Sequence, residues 1–182
     1  MPAQLQEIRE QLAVASERAR VLVESLTAEE LTRRAAGRWS AAECLAHLTR
    51  TTEAYLPLLD AAALEASLGH EPYELDFVGR MLAWMLEPPY RMVVAAPPHL
   101  VPGVDDPAAL LPDFLAAQDA LFARIEIFTG LAIDKVKIAS PVDSRVKYNA
   151  YSALRVIAAH QRRHLWQAEE AAAQASELAI AS

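Results

Sequence analysis

The chain has 182 residues, of which 53% are apolar, and a mean hydropathy of +0.10; that is enough for a core needing no disulfide or metal merely to fold, and it excludes global disorder. Its 17 basic and 24 acidic side chains leave a net charge of −7, without the basic footprint of a nucleic-acid binder. With 37 alanines against 5 glycines, the composition favours helices over strands, and the length suits one domain spanning 1–182.

The first expected element is a helix from about Ala3 to Leu26. Leu5, Ile8, Leu12, Ala15, Ala19, Leu22 and Leu26 recur at steps of three and four, which is one helical face. The first residues contain no apolar run of the kind a secretory leader needs. Thr27 to Glu30 reads as a capping box opening a short helical turn through Leu31, which Gly37 breaks. Ser40 to Glu43 is a second capping box, and the helix it opens should run to about Leu68 and end at Gly69. Pro57 lies within that helix and should kink it.

From His70 to Leu111 the pattern changes, because 8 of the 11 prolines fall between Pro72 and Pro112. Tyr73 to Leu86 can be helical until Pro88 and Pro89 end it, and a proline-rich crossover follows. The longest uncharged apolar run, Met92 to Leu100, is too short to span a membrane. A third long helix should start near Pro112 and stop at Gly130, its apolar face formed by Leu115, Leu121, Phe122, Ile125 and Phe128. Lys135 to Tyr148 reads as a connector, and a last helix should run from Asn149 to Ala179. Four long helices with one elaborate crossover predict an all-α four-helix bundle. The lone Cys44 can form no internal disulfide, which fits a soluble cytoplasmic protein.

The last helix carries the most informative pattern. His160 and His164 are four residues apart, so both imidazoles share one face about 6 Å apart along the axis. The stripe Tyr151, Leu154, Ile157, His160, His164, Ala168 and Ala171 is apolar on either side of the pair. Burying two imidazoles is costly unless something satisfies them. A metal ion would, as would backbone or carboxylate partners. Position 161 is glutamine where a metalloprotease needs a glutamate base. His47 shares an inward face of the second long helix with Cys44, Leu48, Thr51 and Tyr55, and is either the third ligand or a core histidine. Three protein ligands would leave one coordination position open, as catalytic zinc sites do.

Trp39-Ser-Ala-Ala-Glu43-Cys-Leu-Ala-His47-Leu48, followed much later by His160-Gln-Arg-Arg-His164-Leu-Trp-Gln167, resembles the DinB/YfiT-like superfamily over nearly the whole chain. The resemblance implies an up-down-down-up four-helix bundle with a divalent ion, zinc or nickel, on His47, His160 and His164. It also implies thiol-dependent transfer or hydrolysis on a small molecule, a low-molecular-weight thiol as partner, and a homodimer.

Other residues have lesser claims. Glu43, one turn before His47, caps its helix or accepts from the free nitrogen of His47. Gln167 faces the site or packs. His99 is a solvated loop residue or a lid residue, and His70 marks a helix end. Cys44 is a small core residue or a soft ligand. Trp39, Trp84 and Trp166 read as packing anchors, and Arg163 should point away from His164. A di-iron site is excluded because Glu43 and His47 are one residue too far apart for its Glu-x-x-His pairs. Two functions remain: a metal-dependent enzyme, with transfer favoured by the missing glutamate, and a non-catalytic dimeric bundle with a structural or vacant histidine site.

Overall fold

The structure is a computed structural model that describes every residue except 35–36, 89–95, 105 and 181–182, and leaves aside the side chains of 176–180. It is mostly helical: α1 (Ala3–Glu24), α2 (Ala28–Thr32), α3 (Ala41–Glu65), α4 (Phe77–Leu86), a 3₁₀ turn (Pro98–Leu100), α5 (Leu110–Ile127), strands β1 (Lys137–Ala139) and β2 (Lys147–Asn149), and α6 (Ala150–Ile180). Part of the expected run from Met92 to Leu100, and Pro89 with it, lies outside the described residues. Among those described, no helix is long and apolar enough to cross a membrane.

Local signals account for most helix ends. Both capping boxes form. Thr27 accepts from the Glu30 N–H and Ser40 from the Glu43 N–H, while each glutamate reaches back to its cap backbone. Asp76 caps α4 by accepting from Gly79 N at 2.8 Å. Pro57 sits inside α3, which continues through it. That helix stops at Glu65, three residues before the expected end. Gly69 does not cap it. The Gly69 N–H donates to Gly130 O at 2.9 Å, and a Cβ at position 69 would lie 2.6 Å from Ala132 Cβ. The glycine therefore permits two backbones to meet, and His70 does not mark the helix end either.

The expected connector holds a two-stranded antiparallel hairpin, with Lys137 opposite Asn149 and Ala139 opposite Lys147. Asp76 ties it to α4 by accepting from Asn149 N at 2.8 Å and pairing with Lys137. A little sheet thus supplements the helices.

Helix α3 packs on α5 and α6, and α1 on the same two helices. The inner face of α1 is as expected through Leu22: Leu5, Ile8, Leu12, Ala15, Ala19 and Leu22 are buried, whereas the helix ends at Glu24 and the expected Leu26 lies beyond it, half-buried. The interior has two apolar clusters. One gathers Leu5, Leu12, Tyr55, Leu59, Phe128 and Leu154. The other gathers Ala19, Leu45, Leu48, Phe114, Leu165 and Ala168. Between them along α3 and α6 runs a buried polar layer of Thr51, Thr52, Gln118, Gln161, His47 and His164.

Candidate metal centre

Helices α3 and α6 bring His47 and His164 of that layer together with the half-buried His160. One nitrogen from each of His47, His160 and His164 lies within 4.8 Å of the others. The His160 and His164 rings are 4.4 Å apart between centroids, and His47 is 5.1 Å from the first and 4.6 Å from the second. Such a cluster could hold one metal ion.

The hydrogen bonds specify how His47 is presented. Its Nδ1 lies 2.8 Å from Leu100 O in the 3₁₀ turn. A carbonyl only accepts, so Nδ1 carries the proton and Nε2 keeps its lone pair. That Nε2 faces His160 Nε2 at 3.2 Å. His164 Nδ1 is buried with no hydrogen-bond partner. A buried orphan nitrogen beside two other imidazoles is the observation that fits the residues to a metal ion.

Electrostatics agree. Burial, then the neighbouring His47 and Arg163, push His160 down to about 3. The surface that His160 retains faces a cavity, while its ring lies deep. His164 is also held well below the ordinary value, by burial and then by its two histidine neighbours and Arg163. His47 is lowered by burial, against the opposing Leu100 bond. Neutral imidazole is the form that coordinates metal.

The cluster lines a cavity of about 700 Å³. Trp39 borders it, with its ring 4.9 Å from that of His47 and stacked 5.9 Å from that of His164. Leu82 and Met85 of α4 supply apolar wall, and Tyr55, Tyr148 and Ser140 supply hydroxyls. Tyr55 and Tyr148 hydrogen-bond to each other.

Several expectations need correcting. Arg163 is only 5% exposed and lines this cavity; its Nη1 donates to Met85 O at 3.4 Å. The 100° step from His164 leaves it beside the site, because α4 covers that flank of α6. Trp84 is 57% exposed and so is no core anchor, whereas Trp39 and Trp166 line the cavity. Glu43 is engaged away from His47: it accepts from Ser40 N at 3.0 Å and pairs with Arg34. Burial raises the Glu43 pKa, but the Arg34 and Ser40 bonds outweigh it and hold the carboxyl below its ordinary value.

Gln161 turns into the core, where it and Gln118 exchange amide bonds at 2.6 and 3.1 Å. Cys44 lines the cavity but stands outside the histidine cluster, its thiol pushed up to about 12 by burial and then by Glu43. Gln167 lines the cavity. His99 is exposed and donates from Nε2 to Pro141 O at 3.0 Å, away from the cluster. The Leu100 carbonyl went unforeseen, since a backbone atom leaves no mark on residue type.

Fold and site together define a helical protein with a three-histidine cluster at the wall of a partly open cavity. A family model described as the DinB superfamily matches residues 11–168, and the chain belongs to that superfamily. No curated protein and no solved structure shows a significant match to it.

Proposed function

We propose that this DinB-superfamily chain binds one zinc or nickel ion through His47, His160 and His164. We further propose that it transfers a low-molecular-weight thiol to a small molecule, or hydrolyses one, in the adjoining cavity. The observation that carries the reading is the meeting of three neutral imidazoles at the wall of a cavity of about 700 Å³, a size suited to a small-molecule ligand. When bound, the ion would favour the thiolate form of a thiol, or the ionised form of a water, at neutral pH. The chain's own residues do the rest. Burial keeps the imidazoles neutral, the Leu100 carbonyl aims His47, and Trp39, Leu82 and Met85 limit water. Arg163 adds positive charge that favours an anionic reactant. Among the described residues no carboxylate joins the cluster, and Gln161 faces the core, so transfer is preferred to hydrolysis.

The finer architecture in this proposal is the up-down-down-up bundle of α1, α3, α5 and α6. Pairings support it: Glu7 with Arg155 and Arg18 with Glu169 run parallel, Arg9 with Glu126 and Gln118 with Leu12 antiparallel. The proposal also takes the chain as one cytoplasmic domain acting on a small molecule, without nucleic acid or membrane.

The test is titration of zinc and of nickel into chelator-stripped protein. Wild type should take up one ion per chain, and His47→Ala, His160→Ala and His164→Ala should each weaken uptake sharply. If His47→Ala binds as tightly as wild type, the triad is wrong. The 3.2 Å approach of the His47 and His160 nitrogens also fits a hydrogen bond, which favours a second reading, a non-catalytic bundle. No uptake by wild type would reject the metal triad and favour that one.

A further inference from the structure

The turn that supplies the Leu100 carbonyl is three residues long and makes few bonds of its own. Leu100 N donates to Pro97 O at 2.9 Å, and Val101 N to Pro98 O at 3.3 Å. The buried Leu100 side chain sets the depth of the turn, but apolar contact is non-directional and leaves the aim of the carbonyl free. Two side chains supply direction. Arg50, one turn after His47 on α3, donates from Nη1 to Val101 O at 2.6 Å. It lies against Gly103, where a Cβ would come 3.7 Å from its Nη2. On the other side, His99 fastens the turn to Pro141 O in the loop between β1 and β2. Three successive residues are therefore tied, each to a different partner: His99 to the hairpin loop, Leu100 to His47, Val101 to Arg50.

We propose that Arg50 and His99 are positioning residues for His47. They hold the 3₁₀ turn so that the Leu100 carbonyl stays on Nδ1 and the Nε2 lone pair stays turned toward His160. Neither belongs to the histidine cluster; both hold the turn, and Arg50 also places a positive charge near His47 that favours its neutral form. Arg50 reads Val101 from the same helix that carries His47, so the carbonyl of the turn and the ring it orients share one frame. The effect on metal affinity rests on the metal reading above, but the effect on His47 itself does not.

The experiment compares wild type with the double variant Arg50→Met, His99→Phe, which keeps bulk and removes both donors. Arg50→Lys and His99→Gln, each of which retains an N–H donor, serve as rescue variants, and circular dichroism checks that all are folded. In chelator-stripped wild type, ¹⁵N spectra of the histidine rings, assigned with His47→Gln, should show His47 as the Nδ1–H tautomer. The double variant should show a mixture of tautomers, with the rescue variants near wild type. Cobalt(II) titration should show affinity at least about tenfold weaker in the double variant, the scale on which partners of metal ligands act. A folded double variant with the wild-type tautomer and wild-type cobalt affinity overturns the proposal. If wild type takes no cobalt but the double variant loses the tautomer, the positioning role stands and the metal reading falls.

Discussion

At the scale of residues, the three imidazoles make the native state sensitive to acid. His160 is held at about 3 in the folded chain against an ordinary 6.5, and His47 and His164 are lowered as well. Between those two pH values the unfolded chain binds protons that the native chain refuses. Their stabilising balance is therefore complete above the unfolded value and is lost as pH falls below it, by up to about 1.4 kcal/mol per pH unit for each histidine. Calorimetry of chelator-stripped protein should show a melting temperature insensitive to these groups above about pH 7 and declining below the ordinary histidine value. Carboxylates titrate in acid too, so the decisive quantity is the difference from His160→Asn, which should decline less steeply. Equal slopes in the two proteins would mean that His160 is not held neutral. Of this site, the histidine spacing was legible in the sequence because His160 and His164 are placed by a helical period that needs no tertiary knowledge. The Leu100 carbonyl and the buried setting of Arg163 were not legible, since both depend on which segment lies across α6 and α3.

At the scale of elements, local chemistry explains what was legible. The two capping boxes and the three-to-four-residue apolar recurrence act within a few residues, so α1, α3, α5 and α6 could be placed before any packing was known. The hairpin could not, because strands of three residues are too short to display alternation. Helix α4 shows the same limit differently. Gly79 looks like a weak point in a helix, yet a Cβ there would fall 2.1 Å from Ser152 Cβ. Its smallness lets α4 lie directly on α6 and bring Leu82 and Met85 to the cavity. Gly79→Ala should therefore destabilise the fold by about 1–3 kcal/mol, the usual cost of overfilling a packed contact, although alanine is the better helix former. A lowered urea midpoint checks this; an unchanged or raised midpoint would mean that the two helices separate freely.

At the scale of the whole molecule, the exposed apolar residues bear on assembly. Val14 and Val21 are 60% and 58% exposed on the outer face of α1, seven residues apart and so on one helical stripe. Pairing of two copies through α1 is the expected homodimer. Light scattering should give about twice the 19.9 kDa of one chain, and Val14→Glu with Val21→Glu should halve it. A wild-type mass equal to one chain rejects the dimer.

The origin of the histidines bears on how the protein is made. His47 precedes its nearest histidine partner by 113 residues, and α6 supplies the other two. During synthesis, α3 leaves the ribosome long before α6 exists, carrying a single imidazole that can retain an ion only loosely. The three-histidine set closes when α6 docks on α3. Under the metal reading proposed above, loading would wait until α6 has been made and has docked on α3, because only then do the three imidazoles meet.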